Sequence, residues 1–309
     1  MNVITLGMHV LDVLVRPVEA IPDGQNTVLV EEIRMTAAGT AGGTALTLVK
    51  LGATVRSAGA VGADPTGDLL VALLGKAGVD TAALVRREGV ATSTTVLPIR
   101  PNGERPSLHL LGANLTYRAA DVPWDSFGDA EHLHLGGPEL ILGEAPAILA
   151  DARERGLSTS VDLIAPGALG NLAMLEPLLP YVDYLLPNDE QVLGFTDSAD
   201  LSDGCRKLIA AGARTVAATC GADGALIVDA DGEQRVPAYQ VDVVDTTGCG
   251  DAFSAGFVVG VLSGRSVRDA AVLGSAAAAL VAQGLGSDHG EFDLAAADAF
   301  AASTPTRAG

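Results

Sequence analysis

Short runs of Val, Ile and Leu recur along the chain with longer Ala- and Leu-rich stretches between them. Val3 to Leu6 is followed by Leu46 to Leu51, Val55 to Val61 by Leu69 to Leu74, and Leu226 to Val228 by Val241 to Val244. A strand buried on both faces reads as a continuous apolar run, and its neighbours in sequence must then be the helices that cover it. The pattern predicts an α/β fold: a doubly wound, mostly parallel sheet with helices on both faces. No internal repeat, low-complexity tract or linker divides residues 1–309, so a single domain is expected.

Two segments break the rhythm, about 14–36 and about 90–118. In the second, Thr94 to Ile99 and Ser107 to Leu110 flank a turn containing Asn102-Gly103, a strong hairpin signal. The two segments form either a small β-layer apart from the main sheet or a pair of surface excursions. Ser303 to Gly309 is expected to fray.

The chain carries 38 acidic against 19 basic residues, a formal charge of -19, which opposes a polyanion over any broad surface. Nucleic acid is excluded as a partner on that ground. A nucleoside triphosphate would have to be met locally, by backbone N–H groups, a helix N-terminus and bound cations. Cys205, Cys220 and Cys249 have no CxxC spacing, which points to a reducing, cytoplasmic setting. Met1 to Gly7 lacks the charged and apolar regions of a secretory signal, and no apolar run approaches the roughly 18 residues of a membrane helix. No membrane partner is expected. Gly75-Lys76 is followed by Ala77, so there is no Walker-type phosphate loop, and Gly39 to Thr44 fails the GxGxxG spacing. His132 and His134 share a strand face without a third metal ligand in view.

Chemistry concentrates in Asp245-Thr246-Thr247-Gly248-Cys249-Gly250-Asp251-Ala252-Phe253. Val241 to Val244 reads as a strand before it, and Ala252 to Leu262 as a helix apolar all round after it. Strand, Gly-rich turn and helix start in that order converge backbone N–H groups on an anion. Asp251 in the first turn would sit beside that anion, able to accept the proton of an attacking hydroxyl. Asp is also favoured at helix starts simply as a cap, and spacing alone leaves both roles open.

Those nine residues closely resemble the C-terminal signature of the ribokinase-like (PfkB) carbohydrate kinases, which usually have Ala where Cys249 stands. The resemblance implies that Asp251 is the catalytic base, that Gly248, Cys249 and Gly250 supply the anion hole, and that Asp245 and Thr247 lie at a monovalent-cation site. It extends over nearly the whole chain. Gly7 to Asp12 resembles the family's first strand, with Asp12 binding substrate hydroxyls, and Gly39 and Gly43 fall in its substrate-binding glycine segment. Arg105 follows the hairpin turn of the lid and is a substrate contact in that comparison. Pro187 to Gln191 resembles an Asn-x-x-Glu element near magnesium-bound phosphates, with Asn188 retained and Gln191 in place of Glu. Thr219, Gly221 and Gly224 match a nucleotide-binding Thr-x-Gly element. Gln283 to Asp288 matches a stretch flanking the adenine and cation sites, although Gly284 is equally a helix C-cap. Asp64-Pro65 needs no functional account, being an N-cap and a first-turn proline.

Departures fall on the substrate side, where Val10, Ala38 and Gly43 replace the family's polar or small contacts. Ribose itself would be underserved, because unpaired groups on a bound polyol cost about 1 to 3 kcal/mol each. Gly42 and Gly43 leave room that suits a bulkier substrate such as a nucleoside. The expectation is an ATP-dependent kinase acting on a hydroxymethyl group of a small sugar, with a nucleoside as second choice and a catalytically silent ligand-binding relative as third. ATP and Mg2+ are the implied cofactors with K+ at the monovalent site, and a homodimer through the β-lid is the implied assembly.

Overall fold

The computed structural model describes residues 1–101, 104–165 and 170–307, so the predicted Asn102-Gly103 turn lies outside the described residues. In chain order the strands are β1 (Asn2–Gly7), β2 (Val10–Arg16), β3 (Glu32–Ala38), β4 (Thr54–Gly62), β5 (Asp80–Arg87), β6 (Thr94–Pro98), β7 (Leu108–Leu110), β8 (His132–Gly136), β9 (Ser158–Asp162), β10 (Tyr184–Leu185), β11 (Thr215–Thr219), β12 (Ala225–Asp229) and β13 (Gly232–Val236). The helices are α1 (Gly42–Lys50), α2 (Pro65–Lys76), α3 (Ala145–Glu154), α4 (Leu172–Leu175), α5 (Asp189–Thr196), α6 (Leu201–Ala210), α7 (Cys249–Leu262), α8 (Val267–Val281) and α9 (Leu294–Ser303).

Nine strands form the main sheet in the order β13-β12-β11-β10-β9-β8-β1-β4-β5, parallel except where β12 pairs antiparallel with β11 and β13. Successive β1 residues alternate sides: Ile4 and Leu6 join a core with α3, α5 and α6, whereas Val3 joins one with α1, α2, α7 and α8. That alternation is why the run Val3–Leu6 is buried throughout. Helix α7 is apolar all round, as its sequence predicts, because it packs between the sheet and α8. A Cβ at Gly256 would lie 2.7 Å from the Gly274 Cα, so glycine sets the close approach of these two helices. Asp64 caps α2 by accepting the Gly67 N–H at 2.7 Å, with Pro65 at the first helical position.

The two segments that break the rhythm do form a separate layer, a four-stranded sheet in the order β3-β2-β6-β7. Its boundaries differ from those read in sequence, because β2 starts at Val10 and β3 runs on to Ala38. Asp12 therefore sits on a strand of this second sheet and not at the carboxyl end of β1. One face carries Ile33, Met35, Leu108 and Leu110, all exposed; the opposite face is lined by Thr36, Asp12, Thr95 and His109, cross-strand neighbours in a single row.

Three further expectations are corrected. Val241 to Val244 is not a strand: β13 already closes the sheet edge, and the segment instead crosses the end of α8, with Val244 and Asp245 N–H donating to the Ala282 carbonyl. Gly284 is not a left-handed cap; it makes room for the His289 ring, and Gly286 at φ +86 takes the positive-φ position. Ser303 to Arg307 is not frayed, since Thr306 bridges Tyr239 and Arg307 N–H donates to the Ala238 carbonyl at 2.8 Å, while Ala308 and Gly309 lie outside the described residues.

Candidate active site

Gly248 stands at φ +78 immediately before α7, and a Cβ there would lie 2.6 Å from Ser287. Only glycine satisfies both constraints. The Cys249 N–H bends back to the Thr246 carbonyl at 3.3 Å, and Ala252 N–H begins the regular helix bonding to Gly248. The amides of Gly250 and Asp251 lie in the first turn, without intrahelical acceptors, at the positive end of the α7 dipole. Cys249 is no activated thiolate: burial pushes its thiol up to about 12.

Asp245 ties this turn to the loop after α8. Its Oδ1 accepts from the Thr247 N–H at 2.9 Å and hydroxyl at 2.8 Å, while Oδ2 accepts from Gly286 N–H at 2.9 Å. The same loop is held from its other side by Arg34 of β3, which donates to the Leu285 carbonyl and both Asp288 oxygens. Lys50, at the end of α1, donates to the carbonyls of Asp288, His289 and Gly290 at 2.7–2.8 Å.

Asp251 meets three elements. Gly43 of α1 lies directly against it, so close that a Cβ would be 2.1 Å from Oδ2. The space left by the missing side chain is thus filled by the carboxylate and offers no extra room to a substrate, contrary to what the sequence suggests. Asp12 faces Asp251 from the second sheet, and Arg105 reaches in from beside β7, its Nη1 donating to the Thr247 hydroxyl at 2.5 Å. Burial, reinforced by the Asp12 charge and offset by Arg105, raises the Asp251 carboxyl to about 7. Burial also raises Asp12 to about 6, held back by the Thr95 hydroxyl and Arg105 and pushed by Asp245. Gly39, at φ +89, serves the backbone: a Cβ would lie 2.6 Å from the Met8 carbonyl, so it allows the chain to cross just before Asp12's strand.

On the other side of the turn is a cavity of about 280 Å³ lined by Thr219, Gly221, Gly224, Cys249 and Gly250 together with Val241, Val243 and alanines of α8. Asn188 caps α5 and bridges to Thr219, which brings these two predicted residues together. Gln191 ties α5 to the segment after β9. Its Oε1 accepts from the Asn188 N–H and its Nε2 donates to the Leu163 and Ile164 carbonyls, both at 2.8 Å, while Glu190 stays exposed.

Two acids that sequence reasoning missed adjoin the same Leu163–Ile164 segment. Glu139 Oε1 accepts the Ile164 N–H at 2.6 Å, and its Oε2 is buried without a partner. Asp162, at the carboxyl end of β9, accepts the Ser254 hydroxyl at 3.2 Å, one turn along α7 from Asp251. Burial is the main cause of a high value in both, Glu139 at about 7 and Asp162 raised well above the ordinary carboxylate, the latter also by Asp251. Position at a strand's carboxyl end could have flagged Asp162; nothing in the sequence marks Glu139. His132 and His134 do share a face, both bonded to the Ser160 hydroxyl, and among the described residues no group of three or more His, Cys, Asp or Glu is placed to hold a metal.

A base candidate, first-turn amides beside it and a largely apolar cavity beyond them are the parts that phosphoryl transfer to an alcohol group needs. The model of the pfkB family carbohydrate kinases matches residues 5–291, and the chain belongs to that family. It is 30% identical over 288 residues to an ATP-dependent ribose-1-phosphate kinase of Halopiger xanaduensis, covering 91% of this chain and 92% of that one. To a 2-dehydro-3-deoxygluconokinase of Bacillus subtilis it is 28% identical over 270 residues, 82% of each chain. In fold it is similar to Arabidopsis thaliana ribokinase complexed with ribose and ATP, at a TM-score of 0.82 and 22% identity, with 97% of this chain and 98% of that one covered. No helix among the described residues is long and apolar enough to cross a membrane.

Proposed function

We propose that the protein transfers the γ-phosphoryl group of ATP to a hydroxymethyl group of a small sugar, with Asp251 as the base. The observation that carries this is the partly buried Asp251 carboxyl, raised to about 7 and set beside the Gly250 and Asp251 amides at the start of α7. A carboxylate with that value accepts a hydroxyl proton near neutral pH, while the amides and helix dipole stabilise charge on the transferring group. The acceptor lies between Asp251 and the row Thr36, Asp12, Thr95 and His109, whose hydroxyls, imidazole and carboxylate suit a polyol. Arg105 adds positive charge at the same cleft, Gly43 seats the Asp251 carboxyl, and Gly39 lets the chain cross just before the strand of Asp12.

The cavity lined by Thr219, Gly221 and Gly224 is the ATP site in this proposal. Outside that lining, Glu139 has an unpartnered buried oxygen and its charge acts on Asp162; these two, with Asn188, would hold Mg2+, which would offset phosphate charge. Asp245 and Thr247 are the residues that would hold K+. Three free cysteines suit a reducing, cytoplasmic setting. Phosphoryl transfer from ATP, screened across sugars, sugar phosphates, sugar acids and nucleosides, tests the assignment. The highest kcat/KM is expected for a sugar-type acceptor; a nucleoside preference would move it to the second choice, and absent turnover with intact ATP binding would sink both.

Assembly follows from the outer face of the second sheet. Ile33, Met35, Leu108 and Leu110 expose between about half and two thirds of their surface on one face, which suits burial against a second copy. Met35→Asp together with Leu108→Asp is expected to convert a dimer to a monomer in sedimentation analysis. A wild-type protein that sediments as a monomer at micromolar concentration would overturn this.

A further inference from the structure

Pro305 to Arg307 folds back as a short antiparallel extension of the segment after β13. Gln240 N–H donates to the Pro305 carbonyl at 2.9 Å, Gln240 Nε2 to Thr306, and Arg307 N–H to Ala238 at 2.8 Å. Beneath it, the Tyr239 ring meets Phe300 of α9 edge-on at 5.3 Å. This places Arg307 on the wall of the 280 Å³ cavity, where it is the one charged side chain among the described lining residues. A cation there is conspicuous in a chain of formal charge -19.

We propose that Arg307 is a nucleotide-binding residue that lies over the base of the bound nucleotide; the proposal rests on the cavity being the ATP site. Arg307 also borders the neighbouring outer recess with Gln240, Asp242 and Gln283, a recess that no residue of the 245–251 turn lines. It thus stands where the cavity meets that recess, on a side that the turn before α7 does not line. Val241, Val243 and the alanines of α8 offer a base apolar contact there, while the Tyr239 ring, which also lines the cavity, is packed edge-on against Phe300. A guanidinium is planar and weakly hydrated, and it stacks on an aromatic face in a way an ammonium does not.

Calorimetric Kd values for ATP, ADP and adenosine, measured on wild type, Arg307→Ala and Arg307→Lys, test this. Arg307→Ala is expected to weaken all three to a similar degree, by about threefold to thirtyfold, with Arg307→Lys failing to restore them. The Arg307 side chain is exposed, so the melting temperature of the nucleotide-free protein should stay unchanged. Unchanged Kd values would overturn the proposal, as would a loss that grows with the number of phosphates and is restored by lysine. Val243→Trp separates this from the underlying site assignment, since Val243 is half-exposed and lines the cavity. If it leaves ATP binding intact, the nucleotide lies elsewhere; if it abolishes binding while Arg307→Ala does nothing, only the arginine's role falls.

Discussion

Asp251→Asn is expected to lower kcat about a thousandfold while the Kd for ATP stays within about twofold. The carboxamide keeps the shape that Gly43 accommodates, so the packing of α1 on α7 persists and only proton acceptance is lost. The proposed nucleotide site at Thr219, Gly221 and the start of α7 does not include the Asp251 side chain in its lining. The same residue sets the pH profile. A carboxyl raised to about 7 is protonated, and useless as a base, below that pH; kcat/KM should therefore fall about tenfold per unit as pH drops from 7 toward 5. An ordinary carboxylate would leave the profile flat over that range. Stopped or coupled assays across pH 5–9, with single-turnover rates to separate chemistry from release, check both. A variant retaining full kcat would reduce Asp251 to a helix-start residue and put the base elsewhere, whereas a wild type that binds ATP without turnover would favour the catalytically silent ligand-binding relative.

The main sheet and the backbone geometry of the 245–251 turn are legible in the sequence because each rests on local rules. Continuous apolar runs report strands buried on both faces, and Gly248 reports a positive φ that the turn requires. Val241 to Val244 shows where such rules fail: its apolar residues look like a strand, yet β13 has already closed the sheet, and Val241 and Val243 line a cavity instead. Thr36, Thr95 and His109 are invisible as site residues in sequence, since only pairing with β2 sets them in line with Asp12. Arg105 and Thr247, separated by 142 positions, meet only through the packing of the lid over the main sheet. Gln191 reads as a lost acid, whereas its amide joins α5 to the segment after β9, and the free buried carboxyl oxygen nearby belongs to Glu139.

Gly43 carries the second large prediction, and it reverses what the sequence suggests for that position. Glycine there reads as added space for substrate; the structure puts the Asp251 carboxyl in it. Gly43→Ala would set a methyl 2.1 Å from Oδ2 and 2.8 Å from Cγ, so either the helices part or the side chain swings away. Swinging is the easier course, because the colliding atoms are the end of a side chain and the backbone of α7 is packed against α8. Fold stability should therefore change little, by less than about 1 kcal/mol, while the base moves by an ångström or more from its working position. Misplacement on that scale costs about a hundredfold in rate, and the loss should appear in kcat with ATP affinity unchanged. Gly248→Ala makes the contrasting case. It meets the Ser287 backbone at 2.6 Å and needs φ +78, so it should lower the melting temperature and weaken ATP binding together. Parallel measurement of kcat, ATP Kd and thermal midpoint on the two variants distinguishes a glycine that seats a catalytic side chain from one that shapes a backbone. Equal thermal loss in both would mean that Gly43 serves only to pack α1 against α7, and that the Asp251 position is not what it protects.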